Sequence, residues 1–293
     1  MLNKFIPICR FKQDEERANK YEAIKNDLKN AINKNAWDGR WFKRAFTDEG
    51  DALGSIENDE CKIDSISQSW AVISNAGDND KKYIAMDSLE KHLVDKENGI
   101  IKLLDPPFNN GKFKPGYIKA YLPGVRENGG QYTHAAIWAI IALVKLGFGD
   151  KGTEYFRMIN PIEHSRTREA AIKYKIEPYV IAGDVYGAEN LAGRGGWSWY
   201  TGSSSWFYKA GIEYILGLKI DKMHLKVEPC IPSDWKEYSI KYRYKTSIYN
   251  IKVKNPNSKQ IGVDKFILNG VEIEEKQVRL VDDGSINEIE VIM

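Results

Sequence analysis

The chain has 293 residues, of which 42% are hydrophobic and 29% charged, a balance typical of a globular protein with one large or two smaller domains. Lysine and arginine outnumber aspartate and glutamate by 43 to 41, so charge gives no reason to expect a nucleic-acid or membrane-surface partner. The cysteines, Cys9, Cys61 and Cys230, are odd in number and far apart, which argues against a disulfide framework and favours a cytoplasmic setting. No stretch reaches the roughly 20 apolar residues of a membrane-spanning helix, so we expect a soluble chain.

Seven segments carry apolar residues at three- and four-residue spacings, which predicts helices. The first, residues 14–36, follows an apolar opening stretch with no capping residue before it, as though the chain began inside an element. The other predicted helices are 63–74, 78–94, 132–146, 152–159, 177–186 and 205–216. Long loops rich in Gly, Pro and Trp separate them, which predicts antiparallel helix pairs with functional loops at one end.

Near residue 219 the period changes to two. Residues 238–244 and 249–253 alternate apolar and polar side chains, and Asn269-Gly270 lies between two apolar runs as a hairpin signal. Residues 225–293 are therefore predicted to form antiparallel β-structure. The expected fold is mainly α with a β tail, divided into residues 1–220 and 221–293.

The first candidate site is the segment "PGVRENGGQYTHAAIW", residues 123–138. Arg126, Glu127 and Asn128 lie in a glycine-punctuated loop, and His134 follows near the start of an apolar helix, whose free amide groups favour an anion. A histidine and an arginine at such a helix end suit phosphate. The alternative is a histidine that only caps or packs against its helix. No second histidine stands at metal-ligand spacing, so no metal is expected.

The second candidate site is "RGGWSWYTGSSSW", residues 194–206. Trp197 and Trp199 can stack on sugar rings, glycines allow close approach of the backbone, and Thr201 supplies a hydroxyl. A turn packed in the core is the alternative, because tryptophans are commonly structural. The serines at 203–205 lack the Gly-x-Ser-x-Gly pattern of a nucleophile elbow, so a serine hydrolase is not expected.

Two further features have less specific interpretations. Residues 35–46 interleave aromatic and cationic side chains, and near-neutral net charge favours a structural aromatic cluster over a nucleic-acid stripe. Sugar cleavage needs a protonated acid and a second group on the far side of the sugar. The sequence does not pair the available carboxylates, which are Glu57, Asp59, Glu60, Asp64, Glu127, Glu177 and Asp184.

Taken together, consecutive blocks of residues 13–255 resemble glycoside hydrolase family 94, which includes cellobiose- and chitobiose-type phosphorylases and the C-terminal domain of cyclic β-1,2-glucan synthases. These blocks are "NAWDGRWFKRAFTDEGDALGS", "ECKIDSISQSWAVIS", "LLDPPF", "PGVRENGGQYTHAAIW", "EPYVIAGDVY", "GGWSWYTGSSSWFYKAGIEYILGL" and "VEPCIPSDW". The second block looks closest to the cyclic β-1,2-glucan synthase branch. The resemblance implies an N-terminal β-sandwich, an (α/α)6 barrel and a C-terminal β-sheet module.

The resemblance also implies an inverting reaction, in which inorganic phosphate attacks the anomeric carbon while an Asp protonates the leaving oxygen. It implies that His134, Thr201 and Gly202 bind the phosphate and that the enzyme has no cofactor. Arg126 matches a lysine beside the +1 sugar of cellobiose phosphorylases, and Tyr117 matches a sugar-contacting glutamate. Both departures suit a glucan linkage other than that of cellobiose. We expect Arg126, Glu127, Asn128 and Trp199 to bind the substrate together with Tyr117.

The family's acid lies in an Asp-Trp-Asn-Asp motif that is absent from these 293 residues. The chain therefore resembles the C-terminal half of the catalytic domain, and we expect little or no activity from it alone, since general acids contribute about 10²- to 10⁴-fold in rate. An exposed half-barrel face predicts association with the missing half or with a second copy.

Two alternatives stay open. One is a non-catalytic carbohydrate-binding subunit. The other is an intact (α/α)6 hydrolase whose acid is Glu127 or Glu177.

Overall fold

A computed structural model describes all 293 residues. Eight α-helices fill the N-terminal three quarters of the chain, and a β-rich region follows them. The helices are α1 (Leu2–Phe11), α2 (Glu15–Ala31), α3 (Ser65–Ile73), α4 (Asn79–Leu93), α5 (Thr133–Lys145), α6 (Gly149–Met158), α7 (Arg168–Tyr174) and α8 (Ser203–Lys209). Two π-helical turns, Ile32–Ala36 and Ala210–Ile215, continue α2 and α8. The mainly helical prediction is thus confirmed at the level of secondary structure.

The N-terminal helices differ from the sequence prediction. The opening stretch forms a helix of its own, α1, and Gln13 at φ 60° separates it from α2. Asp14 caps α2, because its Oδ1 accepts a hydrogen bond from the Arg17 amide at 3.1 Å. The expectation of an uncapped helix start was therefore wrong: Asp14 is the cap and not the first helical residue.

The predicted helix at 177–186 is also wrong. In its place, the two-residue strand β8 (Asp184–Val185) pairs antiparallel with β7 (Gln131–Tyr132), while helix α7 lies upstream. Pro178 disfavours helical geometry at the residue before it, which keeps this short apolar stretch extended. The pairing leads directly into α5.

Other short strand pairs connect the helices. They are β1 (Ala45–Phe46) with β2 (Ala52–Leu53), β3 (Ile63–Asp64) with β6 (Leu104–Asp105), and β4 (Val94–Asp95) with β5 (Ile100–Ile101). The expectation of helices without intervening strands therefore missed four small ladders.

The C-terminal region contains a three-stranded and a five-stranded sheet. The strands are β9 (Leu218–Asp221), β10 (His224–Val227), β11 (Glu237–Tyr244), β12 (Ser247–Lys254), β13 (Lys265–Leu268), β14 (Val271–Glu272), β15 (Gln277–Arg279) and β16 (Ile286–Ile292). Their orders are β15-β10-β9 and β11-β12-β16-β13-β14. The hairpin prediction is confirmed: Asn269 and Gly270 join β13 to β14 with φ values of 50° and 84°. The purely antiparallel expectation is wrong, because β12 and β16 run parallel.

The main hydrophobic core is one cluster of 33 buried residues that extends from the helices into the sheets. Helix α5 lies at its centre, with ten buried residues, as its nearly continuous apolar sequence predicts. Residues of β12 such as Tyr249 and Ile251 belong to the same cluster. None of the helices combines the length and the apolar character required to cross a membrane.

Candidate functional site

The β7–β8 pairing brings the two candidate segments together. Tyr132 stands opposite Asp184 in the ladder, and the Thr133 amide donates to the Gly183 carbonyl at 3.0 Å. Val185 in turn forms a bridge with Gly195, at the start of the tryptophan- and glycine-rich loop. The first turn of α5 therefore lies beside that loop.

A cavity of about 330 Å³ opens between these elements. Its lining is largely polar and aromatic, and it contains residues from both candidate segments. The lining residues are Tyr121, Arg126, Glu127, Tyr132, His134, Gly183, Asp184, Trp197, Tyr200, Thr201 and Gly202.

His134 projects from the first turn of α5, where its ring stacks on Tyr132 with ring centroids 5.3 Å apart. Its Nδ1 is buried without a hydrogen-bond partner. Burial lowers the pKa of His134, because a charged imidazole loses hydration there. At neutral pH the ring is therefore uncharged, and its Nε2 faces the loop residue Gly202.

Gly202 leaves room in front of the imidazole. A Cβ built on Gly202 would lie 3.2 Å from Nε2 of His134, closer than ordinary van der Waals contact. Beside it, the Thr201 hydroxyl lies 2.7 Å from the Ser203 hydroxyl and accepts from the Ser203 amide at 3.2 Å. The chain enters α8 at this point, where the first helical amides lack intrahelical partners. The imidazole of His134 and the hydroxyl of Thr201 thus lie in the lining of the same cavity.

Arg126 lies at the other wall of the cavity. Its guanidinium is 5.5 Å from the ring centroid of Tyr121 and 5.8 Å from that of Trp197, so it sits between two aromatic faces. A hydrogen bond to Tyr121 raises the pKa of Arg126, which stays charged. Glu127 follows it along the same lining and contributes a carboxylate.

Asp184 is a buried carboxyl in the lining, with only 3% of the residue exposed. Its Oδ1 accepts from the Trp197 amide at 2.9 Å, while Oδ2 has no partner. Burial raises the pKa of this carboxyl. Gly196 permits the contact, because a Cβ there would lie 2.4 Å from Oδ2. Asp184 therefore fixes the loop that carries Thr201.

Three of the residues predicted to bind substrate lie outside the lining. Asn128 is fully buried, and its side chain bonds to the backbone of Phe108 and Tyr121. Tyr117 is 67% exposed and contacts Tyr121 edge-on, with ring centroids 6.3 Å apart. Trp199 is also 67% exposed, and its Nε1 donates to Glu177. In this structure the Asn128 side chain therefore positions the backbone of its own loop.

The remaining carboxylates are separated from the cavity. Asp64 caps α3 by accepting from the Ile66 amide at 2.8 Å and pairs with Arg44. Glu60 accepts from the backbone amides of Asn109 and Gly111. Glu57 and Asp59 line a different depression with Glu60, and Glu177 bonds to Trp199. Of the seven carboxylates considered from sequence, only Glu127 and Asp184 line the cavity.

The aromatic segment 35–46 is structural, as expected. Trp41 is 2% exposed, and its Nε1 donates to the carbonyls of Gly54 and Lys62 at 2.9 and 3.0 Å. Trp37 contacts Phe42 edge-on, with ring centroids 5.0 Å apart. These rings belong to the packing around α3.

Sequence reasoning missed four of the lining residues: Tyr121, Tyr132, Tyr200 and Gly183. It named Asp184 without a role. The signal for Asp184 was its place in the block "EPYVIAGDVY", but only the β7–β8 pairing shows that this block reaches the start of α5.

A family comparison covers the whole stretch of chain that forms this cavity. Residues 1–217 match the model of the Glycosyl hydrolase 94 superfamily, catalytic domain. The chain belongs to this family, as the sequence blocks implied.

Curated relatives agree with this assignment. The chain is 45% identical over 252 residues to the cyclic beta-(1,2)-glucan synthase NdvB of Rhizobium meliloti (strain 1021), covering 86% of this chain and 9% of the relative. It is 31% identical over 295 residues to the N,N'-diacetylchitobiose phosphorylase of Vibrio furnissii, covering 100% of this chain and 36% of that protein. It is 30% identical over 288 residues to the solabiose phosphorylase of Paenibacillus borealis, with coverages of 96% and 36%. The chain thus spans about a third of the phosphorylases and a smaller part of the synthase.

Proposed function

We propose that this chain is part of an inverting glycoside phosphorylase, or related β-glucan-processing enzyme, and that its cavity binds inorganic phosphate next to a sugar. The observation that supports this most directly is the convergence of His134, Thr201 and Gly202 in one cavity. In this proposal the reaction uses inorganic phosphate as its co-substrate and no cofactor.

Two uncharged hydrogen-bond donors would hold the phosphate. The uncharged imidazole of His134 donates through Nε2, and the Thr201 hydroxyl donates from the facing loop. Phosphate then attacks the anomeric carbon, the glycosidic bond breaks, and the leaving oxygen takes a proton from a general acid. Gly202 keeps open the space that a phosphate oxygen would fill.

The sugar would bind toward Arg126. The guanidinium and the Glu127 carboxylate offer a donor and an acceptor for sugar hydroxyls, and Trp197 offers a ring face. Tyr117 lies just outside, on Tyr121. We propose a β-1,2-linked glucan as substrate, a choice supported by the 45% identity to a cyclic beta-(1,2)-glucan synthase.

We propose that residues outside this sequence supply the general acid, since the Asp-Trp-Asn-Asp motif is absent from it. The 293 residues alone would then be inactive. In this proposal residues 1–220 form the C-terminal half of an (α/α)6 barrel and residues 221–293 a β-module. Three free, buried cysteines support a cytoplasmic location.

The partner would be the remaining half of the barrel or a second copy of the chain. Exposed apolar side chains on α1 and α2 offer a surface for it: Phe5, Ile8 and Phe11, with Ile24 and Leu28. A non-catalytic carbohydrate-binding subunit is the second candidate function, favoured by the exposed rings of Trp197 and Tyr200.

Calorimetric titration with inorganic phosphate tests the binding step. We expect His134→Ala and Thr201→Val each to weaken phosphate binding roughly tenfold, the effect of losing one hydrogen bond to a charged group. His224→Ala, on β10 and outside the cavity, is the matched control and should bind as the wild type does. Equal affinity in all four proteins would refute the phosphate site.

Incubation with β-1,2-glucans, with and without phosphate, tests the catalytic step. We expect no turnover by the 293 residues and phosphate-dependent turnover after a segment carrying the Asp-Trp-Asn-Asp motif is added. Turnover by this chain alone would place the acid inside it. Failure to turn over in the complete assembly, with sugar binding retained, would favour the carbohydrate-binding subunit.

A further inference from the structure

An aromatic pair lies beside the cavity but does not line it. Trp199 and Tyr179 meet at a ring-centroid distance of 6.2 Å and an interplanar angle of 72°. Both residues are largely exposed, Trp199 to 67% and Tyr179 to 75%. An edge-on contact covers little of either ring, so flat apolar faces remain open to solvent.

The pair is held in place despite its exposure. Nε1 of Trp199 donates to Oε1 of Glu177 at 3.1 Å, across 22 residues of sequence. The backbone of Trp199 has φ 67°, a conformation that is strained for a bulky non-glycine residue. Strained backbone persists where surrounding structure enforces it and is common at ligand clamps.

The pair adjoins the cavity through the chain. Tyr200, the next residue, lines the cavity together with Trp197, whose Nε1 donates to the Tyr200 carbonyl at 3.0 Å. The cavity itself, at about 330 Å³, is at the small end of ligand pockets. A glucan longer than the part held inside must therefore leave across the rim.

Building on the proposed function, we infer that Tyr179 and Trp199 form a second sugar-binding platform that carries the next units of a β-glucan chain outside the cavity. The open ring faces stack on the apolar faces of sugar rings, and the Glu177 carboxylate accepts hydrogen bonds from their hydroxyls. The platform makes oligosaccharides, and not only disaccharides, the substrate class of this site. The name of the synthase relative likewise refers to a glucan.

The test compares two probes, the β-1,2-linked glucose disaccharide and a β-1,2-linked pentasaccharide, by calorimetric titration of the full chain in phosphate buffer. We expect the pentasaccharide to bind wild type about tenfold more tightly than the disaccharide. Trp199→Ala and Tyr179→Ala should each remove most of this difference and leave disaccharide affinity unchanged. Tyr83→Ala, which removes an exposed ring on α4, is the control and should keep the full difference.

Each other result counts against the platform. Equal affinity of wild type for both probes, or an unchanged difference in Trp199→Ala, overturns the platform while disaccharide binding keeps the proposed function intact. Absence of binding of both sugars overturns the two together. Circular dichroism of each variant establishes that a lost difference does not arise from unfolding, and Trp199→Tyr, which keeps a ring, should restore part of it.

Discussion

At the scale of single residues, the cavity depends on a glycine that leaves space for an imidazole. Gly202 has an ordinary helical φ of −72°, so alanine fits its backbone without strain. The obstacle is the added Cβ, 3.2 Å from Nε2 of His134. The glycine is required here by close approach and not by backbone freedom.

We therefore predict that Gly202→Ala weakens phosphate binding about tenfold while leaving thermal stability nearly unchanged. The methyl group occupies the space in front of Nε2 where a phosphate oxygen would sit. Calorimetric titration with phosphate measures the effect, and Ser205→Ala, in the same turn but exposed, is the control. Wild-type affinity in Gly202→Ala would show that the anion does not sit between these residues.

The second residue-scale prediction concerns the protonation of His134. Burial lowers the pKa of His134 in the folded protein. A bound anion has the opposite effect, because it favours the charged imidazolium and so raises that pKa. Anion affinity should accordingly rise as the pH falls from 8 toward 5.5. Sulfate is the better probe, since it stays a dianion over this range while phosphate titrates. In His134→Asn the rise should be lost, apart from any part due to the Asp184 carboxyl, whose pKa is raised.

The same shift affects stability with a defined sign. Below the ordinary histidine pKa of about 6.5 the unfolded chain binds a proton that folded His134 resists. The contribution of His134 to the free energy of unfolding is thus present above that pH and declines as the pH falls through it. Urea unfolding at pH 7.5 and 5.5 should show a smaller loss in His134→Asn than in wild type. A loss of equal size in both proteins would contradict the assignment.

At the scale of elements, the site exists because two very short strands pair. Helix α5 could be predicted from its apolar sequence, and so could α3, α4 and α6, because each carries a repeated spacing. A two-residue strand such as β8 is too short to show a period, so the apolar spacing around it predicts a helix instead. The proximity of His134 and Thr201 followed only from the family resemblance, since residues far apart in sequence give no local signal.

The loop that carries Arg126 is a second element that sequence alone did not explain. The sequence prediction places Asn128, in a glycine-punctuated loop, among the substrate-binding residues. In the structure its side chain accepts from the Phe108 amide at 2.7 Å and donates to the carbonyls of Phe108 and Tyr121, both at 2.8 Å. Asn128 is fully buried, and its side-chain amide holds the loop through these hydrogen bonds to the backbone.

We predict that Asn128→Ala lowers the free energy of unfolding by roughly 1–3 kcal/mol, because buried backbone groups lose their partners. The loosened loop should weaken disaccharide binding more than phosphate binding, since Arg126 lies on it and His134 does not. Urea unfolding and the two titrations measure these effects. Asn250→Ala, which removes one exposed hydrogen bond to Glu288, should change neither. Phosphate affinity falling as far as sugar affinity would contradict the separation.

At the scale of the whole molecule, one hydrophobic core extends across the predicted domain boundary near residue 220. The sequence changes period there because helices give way to strands, and this change could be read from the chain. It does not reveal whether the two regions bury their apolar faces separately. In the structure Ile140 of α5 and Ile251 of β12 belong to one cluster of 33 residues. A shared core of this kind couples the stability of the two regions.

We therefore predict a single cooperative unfolding transition, with equal calorimetric and van't Hoff enthalpies. Ile140→Ala and Ile251→Ala, one in each region and both almost fully buried, should each lower the stability of that one transition by about 2–5 kcal/mol. Ile286→Ala, at a site that is 64% exposed, is the control and should change it little. Differential scanning calorimetry distinguishes the alternatives, because two independent domains would give two peaks, and each substitution would then move only the peak of its own region. The continuity of the cluster favours one peak, since removing either isoleucine opens a cavity in packing that both regions share.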